Sequence, residues 1–221
     1  MVDFAQARRM MVEGQVRTND VTEGRLLGVM QTLPRERFVP HDKAALAYLD
    51  MDLPVGGTAE HPRCLLKPMV LGKLIAAAEI EAGDRVLDVA CATGYSTAVL
   101  AGLGATVVAV EEDAELAHAA KRNLHELGIA NATVHTGPLV EGAPKQGPYD
   151  VILINGAIET VPDALRAQLA EGGRLLCVVR RGAAGKAMLY LATAGEINGR
   201  PIFEAAAPML AQFALPRAFV F

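Results

Sequence analysis

Apolar runs of strand length alternate with amphipathic runs of helix length in the second half of this chain. The predicted strands lie at 85–89, 106–110, 133–135, 149–154 and 174–179. The predicted helices between them lie at 96–102, 113–127 and 162–169, and Gly128 is placed to end the second. This alternation predicts a parallel sheet with right-handed crossovers. Residues 187–193 and the final stretch to 221 are expected to add antiparallel strands at one edge.

The first half of the chain, to about residue 79, has a helical pattern interrupted by an irregular stretch. An apolar stripe at helical spacing predicts a helix after Thr22, its candidate N-cap. The stripe consists of Leu26, Leu27 and Met30. A further helix is predicted over 69–78. The glycines and prolines of residues 54–68 predict a long loop before it, and long loops in compact domains are usually functional.

The composition is typical of one compact cytoplasmic domain. Apolar residues make up 52% of the chain, charged residues 21%, and Trp is absent, so a mostly aliphatic core is expected. The net charge of -4 gives no long-range attraction to nucleic acid or to an anionic membrane. The chain has neither a signal-peptide pattern nor a run of the roughly 20 apolar residues that span a bilayer. The three cysteines lack metal-ligand spacing and suit a reducing compartment, and no metal site is expected.

A ligand site is predicted where the first two strands of the sheet end, because open α/β sheets bind ligands at the carboxyl ends of their strands. The first strand runs into the turn Asp88–Tyr95, whose backbone can approach a ligand closely. The second strand ends at Glu111, whose carboxylate can accept hydrogen bonds from both hydroxyls of an adenosine ribose. The alternative for Glu111 is a solvated acid at a helix start. The alternative for Asp88 is a residue that caps backbone amides of the turn.

Asn155 is predicted to line the same pocket, since it lies at the end of a central strand. The alternative for Asn155 is a helix-capping turn before Pro162.

Two classes of cofactor suit a strand–turn–helix unit of this kind, a dinucleotide and S-adenosylmethionine. The dinucleotide fingerprint needs glycine at three positions of the turn. Ala90 and Ala92 stand at two of them here, and Gly94 remains. This pattern and the helical segment before the first strand favour S-adenosylmethionine.

Segments from about residue 11 to residue 179 are similar to those of one enzyme family. The more specific ones read MVEGQVR from Met11, LPRERFVP from Leu33 and DLPVG from Asp52. The others read VLDVACATGY from Val86, VE at 110–111, PYDVI from Pro148 and GGRL from Gly172. With these segments the chain resembles the protein-L-isoaspartate O-methyltransferases.

The resemblance implies an α/β, doubly wound, Rossmann-like class I S-adenosylmethionine-dependent methyltransferase fold. Residues 1–221 would form a single domain, with a helical N-terminal part (1–79) that carries an acceptor-side loop and a Rossmann-like cofactor part (80–221). The cofactor-binding residues would be Asp88, Ala90, Cys91, Ala92, Thr93, Gly94, Tyr95, Thr97, Glu111, Glu112, Gly137, Pro138 and Asn155.

The implied reaction is protein repair. A methyl group passes from S-adenosylmethionine to the α-carboxylate of an L-isoaspartyl residue in a damaged peptide or protein. The ester then closes to a succinimide, which reopens partly to normal aspartate. Such a displacement needs alignment and desolvation more than a strong base.

The acceptor-side loop departs from the family pattern. The family has Thr-Ile-Ser, then Gln or Ala, then Pro, where this chain has Cys64-Leu65-Leu66-Lys67-Pro68. Leu66 therefore replaces the serine regarded as catalytically important, and the candidate catalytic positions are Cys64, Leu66 and Lys67. Lys67 and Arg63 could bind a substrate carboxylate, and the alternative for each is a solvated loop charge.

Two further departures lie on the cofactor side. The family's Gly-Thr-Gly-Ser-Gly turn is Ala90–Gly94 here, with two added methyl groups. The family's Gly-Asp-Gly, whose acid contacts the adenine amino group, is Gly137-Pro138-Leu139. Three hypotheses therefore stay open. They are methyl transfer to isoaspartyl peptides, methyl transfer to a different acceptor, and a non-catalytic binding protein that retains the fold. The oligomeric state is left open.

Overall fold

The structure is a computed structural model that describes residues 3–182 and 184–215. Its strands are β1 (Leu53–Gly57), β2 (Pro62–Leu65), β3 (Arg85–Val89), β4 (Thr106–Glu111), β5 (Ala132–Thr136), β6 (Tyr149–Ile158), β7 (Leu169–Arg181), β8 (Ala184–Thr193) and β9 (Glu196–Glu204). Its α-helices are α1 (Phe4–Met11), α2 (Gly24–Thr32), α3 (Pro68–Ala77), α4 (Tyr95–Gly102), α5 (Ala114–Glu126) and α6 (Asp163–Arg166). Residues 216–221, the last part of the final stretch for which strands are expected, lie outside this range.

Seven strands form the central sheet in the order β5-β4-β3-β6-β7-β8-β9. The first five of these pair in parallel, and β8 and β9 add antiparallel strands at the edge. This confirms the predicted parallel sheet and its antiparallel edge. The strand expected in the final stretch to 221 is β9, which ends at Glu204, and residues 205–215 add no further strand to the sheet. The chain runs from β3 to β4 on one side and later returns to β6 on the other side of β3. The carboxyl end of β3 is therefore the switch point at which open sheets of this kind bind ligands.

The N-terminal helices and the sheet share one apolar core. Met30 on α2, Leu74 on α3 and Val99 on α4 belong to the same cluster of buried side chains as Leu153 on β6. A second cluster on the opposite face of the sheet includes Leu210 from the chain after β9.

Helix α5 ends as the sequence predicted. Gly128 adopts a φ of +68°, and its amide donates to the carbonyl of His125 while that of Ile129 donates to Leu124. This is the Schellman pattern, in which a residue with positive φ satisfies the last carbonyls of the helix.

The predicted loop over 54–68 is wrong in part, because β1 and β2 form an antiparallel hairpin there. Leu53 and Leu65 lie opposite each other and are both buried. The prolines and glycines of this segment mask the strand pattern, and a two-stranded hairpin tolerates them because it consists of edge strands.

Two further predictions need correction. The helix predicted over 162–169 is the single turn α6, and Leu169 already belongs to β7 because it pairs with Tyr149. The N-cap of α2 is Glu23 rather than Thr22, and its side chain makes no capping hydrogen bond. The sequence pattern therefore predicted the end of α6 and the start of α2 wrongly.

Candidate functional site

The turn after β3 keeps a glycine-like backbone although two of its residues are alanines. Ala90, Ala92 and Gly94 have φ angles of +64°, +50° and +94°. Positive φ is unfavourable for alanine, so the surrounding contacts must hold this turn in place. The amides of Ala90 and Cys91 both donate to the carbonyl of Val110, which fixes the turn against the end of β4.

The carboxylate of Glu111 is buried at the end of β4 and is fully hydrogen-bonded. Its Oε2 accepts from the amide of Ala92 at 2.8 Å and from Nη2 of Arg63 at 2.7 Å. Its Oε1 accepts from the amides of Glu112 and Asp113 at 3.0 and 3.2 Å. Because Glu111 is 0% exposed, its interpretation as a solvated acid is wrong.

Asp88 joins β3 to α4 and β6 through side-chain hydrogen bonds. Its Oδ2 accepts from the hydroxyls of Ser96 at 2.8 Å and Thr97 at 2.6 Å, and its Oδ1 accepts from the amide of Asn155 at 2.5 Å. These donors are side chains, so the interpretation as a cap for turn amides is wrong. Complete burial raises the pKa of Asp88 to about 6, against the opposing effect of its hydrogen bonds.

Asn155 lies within β6 and also donates to the carbonyl of Val89. It is therefore not part of a capping turn before Pro162. Its side chain lies at the boundary between the turn after β3 and the central strand.

The acceptor-side loop lies directly over this turn. Leu66 is 2% exposed, and its carbonyl accepts from Nη2 of Arg35 at 2.8 Å. The amide of Lys67 donates to Asp52 at 2.9 Å. Burial and the nearby carboxylate of Asp52 raise the pKa of the Cys64 thiol to about 11, so this thiol is protonated at neutral pH.

A small cavity of about 10 Å³ lies between the loop and the turn. It has room for about one water molecule. The residues that line it include Cys64, Leu66, Ala90, Cys91, Tyr95 and Asn155. The structure thus brings two of the predicted acceptor-side residues together with four of the predicted cofactor-binding residues.

The predicted adenine-side residues lie next to Glu111. The amide of Gly137 donates to the backbone carbonyl of Glu111 at 3.1 Å, and Pro138 is exposed beside it. Leu139 is completely buried in the second core cluster. The hydroxyl of Thr93 donates to the carbonyl of Phe38 at 2.5 Å, so it holds the N-terminal part against the turn.

Sequence reasoning missed the position of two arginines. Arg35 is completely buried, and Arg63 is paired with Glu111 rather than solvated. Arg35 is the first residue of a short 3₁₀ helix, Arg35–Phe38, and two other charged residues follow it, so nothing in the sequence marks Arg35 as the buried one. The Arg63–Glu111 pair joins residues 48 positions apart, so it has no local signal.

The family model described as protein-L-isoaspartate(D-aspartate) O-methyltransferase matches residues 6–202 of this chain. The chain belongs to this family.

Curated relatives agree with that membership. The chain is 39% identical to the protein-L-isoaspartate O-methyltransferase of Koribacter versatilis over 181 residues, which cover 81% of this chain and 79% of the relative. It is 40% identical to that of Methylorubrum populi over 179 residues, which cover 81% of each chain.

Solved structures of the same family share the fold. One protein-L-isoaspartate O-methyltransferase superposes with a TM-score of 0.80 at 25% identity, and the match covers 92% of this chain and 66% of that one. The structure from Plasmodium falciparum, a putative member of the family in complex with S-adenosyl-L-homocysteine, superposes with a TM-score of 0.76 at 17% identity over 93% of this chain and 98% of that one. Within the described ranges, no helix has both the length and the apolar character needed to cross a membrane.

Proposed function

We propose that this chain is an S-adenosylmethionine-dependent protein-L-isoaspartate O-methyltransferase, which methylates isoaspartyl residues in damaged proteins. One observation carries the proposal. The Glu111 carboxylate lies at the end of β4, bonded to the amide of Ala92 in the turn after β3, inside a family match that spans residues 6–202. An acid in that position is suited to the hydroxyls of an adenosine ribose.

The polar groups at these strand ends fit the cofactor. Glu111 would hold the ribose hydroxyls, and the backbone of the turn Ala90–Gly94 would approach the rest of the molecule. A cavity of about 300 Å³ lies beside Glu111, lined also by Glu112 and Asp113. The cavity of about 10 Å³ at the turn is much smaller than a cofactor, so the loop that carries Leu66 would have to withdraw.

The residues of this chain would align the acceptor and exclude water rather than move a proton. S-adenosylmethionine supplies an electrophilic methyl group, which an already ionised carboxylate accepts without loss of a proton. Leu66 gives the acceptor side an apolar wall that lowers solvation of the incoming carboxylate. Lys67 and Arg63 lie on either side of the Cys64–Leu66 segment and are the candidates for an ion pair with it.

The test is transfer of a labelled methyl group from S-adenosylmethionine to a peptide with one L-isoaspartyl residue. The same peptide with normal aspartate is the matched control. We expect base-labile label on the isoaspartyl peptide alone. Failure to label it, in a preparation that binds S-adenosylhomocysteine, would contradict the isoaspartyl function.

A different acceptor is the second candidate, and the buried Leu66 at the position of the family's serine favours it. Labelled cofactor incubated with other carboxylate compounds tests this candidate. Transfer to one of them and none to the isoaspartyl peptide would support it, and no transfer to any compound would refute it.

We also propose a single-domain protein that works in the cytoplasm without binding nucleic acid. The three cysteines are free and buried, which suits a reducing compartment. The net charge of -4 does not attract polyanions.

A further inference from the structure

Arg63 binds the Glu111 carboxylate, which the ribose hydroxyls would also need. Its Nη2 lies 2.7 Å from Oε2 of Glu111, and the two side chains are 11% and 1% exposed. With the amides of Ala92, Glu112 and Asp113, this makes four donors on the two oxygens of Glu111. A carboxylate offers about four acceptor positions. Ribose hydroxyls can therefore bind Glu111 only when Arg63 leaves it.

The pair does not use the full binding capacity of the guanidinium. The Nε of Arg63 is buried and has no hydrogen-bond partner within residues 3–182 and 184–215. Nε and Nη2 together form the edge on which arginine binds a carboxylate through two parallel hydrogen bonds. Arg63 therefore makes one hydrogen bond to Glu111 where two are possible, and a freely approaching carboxylate could satisfy both donors.

Strand β2 contributes to the lining of both cavities. Arg63 lines the cavity of about 300 Å³ together with Glu111, and the next residue, Cys64, lines the cavity of about 10 Å³ at the turn. Both residues belong to β2, so a movement of the hairpin that releases Arg63 would also displace Cys64 from the cavity at the turn.

We propose that Arg63 is an exchangeable carboxylate-binding residue. It holds Glu111 while the ribose position is free, gives up Glu111 when ribose hydroxyls bind there, and then receives the carboxylate of the methyl acceptor. The proposal rests on the proposed function. The cofactor and the acceptor would then bind cooperatively, because ribose binding to Glu111 frees Arg63 to bind the acceptor carboxylate.

The first test compares Arg63→Gln with the wild-type protein in two measurements. The dissociation constant for S-adenosylhomocysteine, measured by calorimetry, should fall about fivefold because a competitor for Glu111 is gone. The KM for the acceptor carboxylate should rise at least about tenfold because the guanidinium that binds it is gone. If Arg63 had only a structural role, Arg63→Gln would weaken the binding of both the cofactor and the acceptor. Opposite effects on the two therefore identify the exchange. Arg37→Gln, which breaks the exposed Arg37–Glu126 pair, is the matched control and should change neither.

The second test uses the wild-type protein and does not depend on the folding of a variant. Amide hydrogen exchange in residues 57–65 should become faster when S-adenosylhomocysteine binds, and slower again when an isoaspartyl peptide is added. Protection of this hairpin by S-adenosylhomocysteine alone would overturn the proposal. Weaker cofactor binding by Arg63→Gln would overturn it too, and would leave the proposed function intact. If neither protein binds S-adenosylhomocysteine, the proposed function fails and this inference fails with it.

Discussion

The guanidinium of Arg35 lies 4.5 Å from the centre of the Tyr95 ring, and both side chains are completely buried. Arg35 also donates to the carbonyls of Ala47 and Leu66 at 2.8 Å each. Tyr95 is the first residue of α4, directly after the turn, and Leu66 belongs to the acceptor-side loop. Arg35 is thus a physical connection between the two halves of the candidate site.

Replacement of Arg35 by methionine should destabilise the protein. The change leaves the carbonyls of Ala47 and Leu66 without their donor, and an unsatisfied buried polar group costs about 1–3 kcal/mol. We expect the free energy of unfolding in urea to fall by about 3 kcal/mol. Arg37→Met, at the exposed neighbour, should change it by less than about 0.5 kcal/mol. A loss below about 1 kcal/mol in Arg35→Met would show that neither hydrogen bond contributes.

Asp88 should make the protein less stable as the pH rises from about 4 to about 6. Burial raises the pKa of Asp88 to about 6, so the folded state holds this proton where the unfolded state has released it. The folded state then binds more protons in that window, and its stability falls as pH increases, by about 3 kcal/mol in all. Asp88→Asn should flatten this part of the curve of unfolding free energy against pH. Asp163→Asn, at a side chain that is 98% exposed, is the control and should leave the slope unchanged.

Gly156 should resist substitution because the chain after β9 packs against it. A Cβ on Gly156 would lie 2.6 Å from Cγ of Leu210. We expect Gly156→Ala to cost about 1–3 kcal/mol of unfolding free energy, as overpacking of a core does. In the double variant with Leu210→Ala, the two losses should not add, because the smaller side chain makes room. Additive losses in this cycle would show that Leu210 is not the obstacle.

Gly28→Ala should stabilise the protein. Gly28 is exposed within α2, and a Cβ there would have no neighbour within 4 Å. Alanine restricts the unfolded chain and favours the helix, which is worth about 1 kcal/mol. Thermal unfolding should show a higher midpoint, and an unchanged or lower midpoint would contradict the helical environment assigned to this residue.

The sequence was sufficient for the central strands of the sheet because β3 and β4 each carry a run of mostly apolar residues that no glycine or proline interrupts. Val86–Val89 and Val107–Val110 show this pattern, and both are buried in the structure. It was insufficient for the hairpin at Leu53–Leu65, where prolines and glycines occupy strand positions. Helix ends were also poorly predicted, since the amphipathic pattern of 162–169 continues into β7 without a break.

The candidate site could likewise be predicted only in part. The acid at Glu111 could be placed from the sequence because it follows directly from the end of a strand. The partners of Glu111 could not, since Arg63 comes from a segment that the sequence presents as an exposed loop. Contacts between distant segments depend on the folded chain, and a single sequence carries no local signal for them.

Calorimetric titration of the purified protein with S-adenosylhomocysteine tests the central claim most directly. A cofactor site at the ends of β3 and β4 predicts saturable one-to-one binding with a micromolar dissociation constant, and at least about tenfold weaker binding in Glu111→Gln. No binding at millimolar ligand would contradict both methyltransferase proposals and leave a non-catalytic protein that retains the fold of this family.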